Sequence, residues 1–174
     1  FTGRLVYYKG ADVLLEAFAD LKTNAELFFA GTGVLEPELE ARAEALGIRE
    51  RVHFLGRRMT PELRDMFAEC DLFVLPSVAN SEAFGIVQLE AMVNGKPVIN
   101  TALPTGVPLV SLDGETGLTV PPSDAAALTA AMEKLLTDDA LRMQYGEAAR
   151  ARVLREFSLQ TVMEKTRSVL LNRE

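Results

Sequence analysis

The sequence predicts an α/β fold, a Rossmann-like parallel sheet of about six strands with helices on both faces. Three observations carry this. Strand-like and helix-like patterns alternate from end to end. The connections between them are short, so successive strands are parallel with helical crossovers. The strands are near-continuous apolar runs, as required when both sheet faces are covered.

FTGRL reads as the first strand, and residues 10–21 follow as a helix with Leu14, Leu15, Phe18 and Leu21 on one face. AELFFA is a buried strand ending in Gly31-Thr32-Gly33. Leu35, Leu39, Ala43 and Leu46 then recur at helical spacing up to Gly47. RVHFLG is the third strand, and Thr60-Pro61-Glu62 opens the next helix as N-cap, first-turn proline and early acid. DLFVLP is the fourth strand, and a helix runs from about Gly85 to Asn94-Gly95. PVIN is the fifth, with Pro97 where a ladder tolerates it, and TGLTV is the sixth. After Pro121-Pro122-Ser123-Asp124 the chain is helical over 125–137, 139–157 and 159–172. Leu159, Val162 and Met163 give the last of these an apolar side.

The 174 residues suit one domain with a sizeable core. A net charge of −7 argues against non-specific binding to nucleic acid or anionic membrane, so any anion must be held by a few placed cations and backbone dipoles. The single cysteine, Cys70, excludes an internal disulfide and reads as a structural thiol in a reducing compartment. An abrupt start inside a strand suggests a fragment of a longer protein.

In an open α/β sheet, ligands bind beyond the carboxyl ends of the strands. The unusual residues fall in those loops: Arg4 and Lys9, Gly31-Thr32-Gly33, Gly56-Arg57-Arg58, Pro76 to Glu82, and Thr101 to Gly106. Lys9 stands just before a helix, on the unfavourable side of its dipole unless an anion intervenes. The N–H groups of Gly85, Ile86 and Val87 lack intrahelical partners, and Gly85 has no side chain to keep a phosphate away.

Glu82 and Glu90 sit among apolar neighbours in SEAFGIVQLEAM. Glu82, ahead of a helix start, could simply complement the dipole. Glu90, inside an apolar helix, should accept hydrogen bonds from protein or from ligand hydroxyls. Their eight-residue separation spans ~12 Å along a helix, beyond the roughly 5–9.5 Å of a glycosidase pair. The two therefore suit the ends of one extended polar ligand.

Gly31-x-Gly33 lacks the third glycine of a dinucleotide fingerprint, His53 lies in an apolar strand, and no ligand cluster suggests a metal.

The motifs GRL, YKGADVLLEAF, LFFAGTG, VHFLG, DLFVLPS, EAFGIVQLEAM, GKPVI and GETGLTVPPSD together resemble the carboxyl-terminal domain of family 4 retaining glycosyltransferases, enzymes of GT-B architecture. The resemblance covers nearly the whole chain in order, and NTALPTGVPLVSLDGETGLTV is similar to bacterial members that assemble surface polysaccharides or glycolipids.

It implies that residues 1–174 form the donor-binding domain, that the acceptor-binding amino-terminal domain lies outside them, and that 159–174 is the crossover helix. Arg4 and Lys9 would bind and stabilise the leaving diphosphate, assisted by the N–H groups of Gly85, Ile86 and Val87. Glu82 would contact donor-sugar hydroxyls, Glu90 the ribose hydroxyls, Phe84 would belong to the donor site, and Arg57-Arg58 would lie against the base.

The implied chemistry is retaining hexosyl transfer from a nucleotide sugar, such as GDP-mannose (a mannosyltransferase) or a UDP-hexose, to a sugar or lipid-linked acceptor. It would need no cofactor and no obligatory metal. The implied setting is the cytoplasm, with any peripheral attachment to the inner membrane supplied by the other half. Where many relatives carry a double glycine after strand five, this chain has Ala102-Leu103-Pro104-Thr105-Gly106, so the donor is not fixed by the resemblance. The rival readings are a GT-B nucleotide-sugar epimerase half, which the lone His53 argues against, and a non-catalytic interaction module, which the intact Arg4, Lys9, Glu82 and Glu90 argue against.

Overall fold

The computed structural model describes residues 1–171. Five strands form among the described residues, all in parallel pairs. Strand β1 (Leu27–Phe29) pairs with β2 (Val52–Phe54), with Phe28 opposite His53. Strands β3 (Phe73–Val74), β4 (Val98–Thr101) and β5 (Gly117–Val120) pair in the order β3-β4-β5. The α/β class is as the sequence predicts, but the strands number five rather than about six and are divided between two sheets. The missing strand is FTGRL. Its Thr2 makes a single parallel bridge to Ala30, and Gly3 and Leu5 donate to Ala30 O and Thr32 O, keeping the segment beside β1 without a regular ladder. An apolar cavity of about 460 Å³, lined by Phe1, Leu27, Phe28, Phe73 and Val74 among others, lies between the sheets.

Eight helices accompany the strands among the described residues: α1 (Ala11–Ala19), α2 (Glu36–Ala45), α3 (Thr60–Glu69), α4 (Val87–Val93), α5 (Val107–Val110), α6 (Ala125–Thr137), α7 (Asp139–Glu156) and α8 (Leu159–Leu171). Short 3-10 turns at Tyr7–Lys9 and Arg49–Arg51, and helix α5, carried no periodic signal long enough to read from sequence. The last positions of the predicted crossover helix, 172–174, lie outside the described residues.

The alternation of side chains along the strands creates two cores. Val74, Ile99 and Val120 point to one side, where Leu14, Leu15 and Phe18 of α1 and Leu128, Met132 and Leu135 of α6 cover them. Phe73, Leu75 and Val98 point to the other, against Ala91 and Met92 of α4, Val107 and Val110 of α5, and Ala149 and Val153 of α7. The four residues that predicted the face of α1, including Leu21 beyond its end, are all buried.

Two helix starts differ from the sequence reading. At α3 the N-cap is Met59, with Thr60 and Pro61 inside the first turn. The Glu62 carboxylate accepts from Met59 N–H at 2.9 Å and from Arg58 at 3.1 Å, so an acid one turn in caps the helix in place of the threonine hydroxyl. Helix α4 starts at Val87, two residues later than Gly85, because Gly85 has φ +72° and cannot join a right-handed helix. Helix α6 starts at Ala125 as read, and Asp124 caps it, accepting from Ala127 N–H at 2.9 Å.

Candidate functional site

Three loops at the carboxyl ends of the strands are tied by one chain of polar contacts. Arg4 Nη2 donates to the Tyr8 hydroxyl at 2.9 Å. The Lys9 ammonium stands 5.6 Å from the centroid of the Tyr8 ring and pairs with Glu82 Oε2. Ser77, fully buried, donates its hydroxyl to the same oxygen at 3.1 Å. Thr101 at the end of β4 donates to Ser77 O at 2.6 Å, and Val78 N–H donates to Tyr8 O at 2.9 Å. Arg4, Lys9 and Glu82, which lie up to 78 positions apart in the numbering, are thus assembled into one group.

The Lys9 and Glu82 side chains are only 12% and 10% exposed, so their charges interact through little water. Glu82 Oε1 has no hydrogen-bond partner among the described residues and, unlike a sealed atom, keeps contact with solvent. One oxygen is committed to the protein and the other is unpaired among the described residues. Arg4 is exposed, with most of its guanidinium donors available.

The segment before α4 is fixed from behind. Gln88 and Asn100 are both fully buried. Gln88 Nε2 donates to Phe84 O at 3.0 Å and Val107 O at 3.2 Å, and Asn100 Nδ2 donates to Gln88 Oε1, Val107 O and Ser111 O. Thr119 donates to Asn100 Oδ1 at 2.7 Å, which sets the orientation of that amide. Gly106 N–H donates to Ala83 O at 2.8 Å, so the loop after β4 packs on the same segment. Held this way, the N–H groups of Gly85, Ile86 and Val87 have no acceptor among the described residues. Gly85 has a reason of its own to be glycine: besides its positive φ, a Cβ there would sit 2.5 Å from Leu75 Cδ2. Packing and backbone conformation therefore each require glycine here.

Other predicted residues are placed differently. Glu90 is exposed, contrary to the buried position read from its neighbours. The helix is apolar on the side facing the core, and Glu90 projects from its other side. Its carboxylate accepts no hydrogen bond among the described residues, and partial desolvation raises its pKa above the usual carboxylate range. The Phe84 ring packs against the second core and meets Phe157 edge-on at 6.1 Å. Arg58 pairs with Glu62 of α3, and its loop reaches the others through Gly31 N–H, which donates to Gly56 O at 2.8 Å. The glycine pair after β1 serves close backbone approach: at φ +149°, a Cβ on Gly31 would lie 1.8 Å from Gly3 O.

His53 stacks on Phe28 at 4.7 Å, and its Nε2 lies 3.3 Å from Glu26 Oε2 without hydrogen-bond geometry. Neither neighbour is a candidate site residue. Cys70 is half-buried, and desolvation raises its pKa, as befits a structural thiol.

Tyr8, Gln88 and Asn100 were not singled out in the sequence, and Ser77 and Thr101 only as members of their loops. Gln88 and Asn100 had a legible signal, since each interrupts an apolar run (IVQLEAM, PVIN) where a buried amide must find partners. Ser77 and Thr101 directly follow the fourth and fifth strand patterns, but only the adjacency of β3 and β4 shows that they touch.

The architecture is that of a GT-B Rossmann-like domain: the structure superposes on that of Anabaena Alr3699/HepE in complex with UDP with a TM-score of 0.88, at 27% identity, over 97% of this chain and 47% of that one. Residues 1–152 match the family described as "Glycosyl transferases group 1". The chain belongs to that family. It is 40% identical over 158 residues to the D-rhamnosyltransferase WbpZ of Pseudomonas aeruginosa, covering 91% of this chain and 41% of the relative. It is 34% identical over 152 residues to the O-antigen chain mannosyltransferase C of Escherichia coli, covering 87% and 40%. The chain thus spans about two-fifths of the length of these curated relatives.

Proposed function

We propose that residues 1–174 are the donor-binding domain of a two-domain retaining glycosyltransferase of family 4, which transfers a hexose from a nucleotide sugar to an acceptor hydroxyl in bacterial surface polysaccharide or glycolipid synthesis. The observation that carries this reading is the contact chain Arg4, Tyr8, Lys9, Glu82 and Ser77, which sets two cations beside a half-free carboxylate. That is what a charged diphosphate attached to a hydroxyl-rich sugar needs.

In this reading Arg4 and Lys9 take the phosphates and the charge that develops as the diphosphate leaves, with no obligatory metal. The N–H groups at Gly85, Ile86 and Val87 add a fixed dipole. Glu82 accepts from sugar hydroxyls through Oε1, and Glu90, with no protein partner among the described residues, accepts from the ribose. Phe84 supports the phosphate segment through packing, and the loop at Arg58 borders the base. The UDP and UDP-glucose complexes of the Anabaena protein, and the rhamnosyl and mannosyl names of the relatives, support a nucleotide-sugar donor without choosing among UDP-hexoses and GDP-mannose.

The acceptor, sugar or lipid-linked, falls to the second domain, and α8, whose Leu159, Val162 and Met163 are exposed, crosses towards it. The protein works in the cytoplasm, where nucleotide sugars are made, with any peripheral attachment to the membrane through the other domain. Among the described residues no helix is long and apolar enough to cross a membrane.

A thermal-shift panel of nucleotide sugars on wild type and Glu90→Ala tests the reading. A donor at a hundred times its dissociation constant stabilises by about 2.7 kcal/mol, a rise of roughly 5–10 °C. One donor should shift the wild type and not the variant, while the chain alone transfers no sugar. No shift from any nucleotide or nucleotide sugar would count against a donor site.

A further inference from the structure

We infer that the Lys9–Glu82 ion pair is an internal substitute for the donor, and that it makes the site prefer a nucleotide sugar over the free nucleoside diphosphate. The inference rests on the donor-site reading above. Lys9 is paired with Glu82 Oε2, which Ser77 also engages, while Oε1 has no hydrogen-bond partner among the described residues. The carboxylate therefore offsets one of the two cations, Arg4 and Lys9, that an incoming diphosphate would meet.

A diphosphate without a sugar can draw Lys9 towards itself only by leaving Glu82 with the Ser77 hydroxyl alone. The carboxylate would then be a nearly buried charge short of partners and close to another anion. A nucleotide sugar brings the remedy with it, because its sugar hydroxyls donate to Glu82 as Lys9 turns to the phosphates. The two halves of the ligand thus bind cooperatively through one ion pair. Once the sugar has been transferred, the remaining diphosphate faces the bare carboxylate, which favours its release.

The sign of this effect is unusual, since removing an acid from the site should improve binding of the product. Titration calorimetry at 25 °C with UDP, UDP-glucose, GDP and GDP-mannose tests it on wild type, Glu82→Gln, Glu82→Ala and Ser77→Ala. The wild type should bind the better nucleotide sugar more tightly than its diphosphate. Glu82→Gln should tighten the diphosphate by about tenfold, within reach of one like charge a few ångströms away, and abolish the preference for the sugar form. Glu82→Ala should move diphosphate affinity the same way, which keeps the test intact if the glutamine variant folds poorly. Ser77→Ala retains both charges but removes the partner that Glu82 keeps when Lys9 turns away, so it should weaken diphosphate binding rather than tighten it.

A Glu82→Gln protein that binds diphosphate no more tightly, or that keeps the sugar preference, overturns the inference and leaves the donor site standing. Tightening by Ser77→Ala as large as that by Glu82→Gln overturns it too, because the cause would then be mobility of the carboxylate. If the wild type binds none of the four probes, the donor-site reading fails and the inference fails with it.

Discussion

Glu90 differs from Glu82 in how its charge is balanced. Glu82 has an ammonium and a hydroxyl at one oxygen, whereas Glu90 has no carboxylate partner among the described residues and titrates above the usual carboxylate range because its flank is partly desolvated. Hydroxyl donors from a bound ribose would favour its ionised form and lower that pKa. Binding then releases a proton between the lowered and the raised value, so affinity rises with pH through that interval. Measured from mildly acidic conditions to neutrality, the donor dissociation constant should fall for wild type and stay flat for Glu90→Gln. A parallel slope in both proteins would remove Glu90 from the site. The sequence made Glu90 conspicuous for a reason the structure revises. Its neighbours in the chain are apolar, but the helix rotates it away from them.

At the scale of elements, the turn from β3 into α4 concentrates the demands of the site. Gly85 holds a left-handed conformation, stands against Leu75, and precedes a first turn closed by Gln88 N–H to Gly85 O and Leu89 N–H to Ile86 O. Gly85→Ala should cost about 1–3 kcal/mol from backbone strain, with more from the Leu75 contact, and should weaken nucleotide binding by displacing the N–H groups. Chemical denaturation and calorimetry on the same sample measure both, and an unchanged midpoint would contradict the packing argument.

This is also the element that sequence reading rendered least faithfully. Periodicity located α1 well, because Leu14, Leu15, Phe18 and Leu21 repeat often enough to fix its phase. The ends of α3 and α4 depend on which side chain reaches a given N–H and on one backbone angle, and neither has a period. FTGRL had the composition of a strand, yet formation of a ladder depends on what lies beside it. Lys9, Arg4 and Glu82 could be shortlisted from their loops, while their meeting through Tyr8 and Ser77 needed the fold.

The molecule as a whole is organised around β4. Val98 points into one core and Ile99 into the other, while Asn100 holds Gln88, Val107, Ser111 and Thr119 through a single amide. Because the strand is flanked by β3 and β5 and belongs to both cores, neither core can open while the other keeps its wall. Amide hydrogen exchange would register this. The N–H groups of Ile99, Asn100 and Thr101 should exchange slowest, near the free energy of global unfolding, and both helical layers should share that limit. A layer containing α1 and α6 that exchanged through its own, lower-energy opening would show the cores to be separable. The strand that carries Thr101 to the back of the site would then be the seam between two independently melting halves. With shared protection it is the last part of the protein to let in solvent, and the loops at its end can vary in sequence without loosening what they are mounted on.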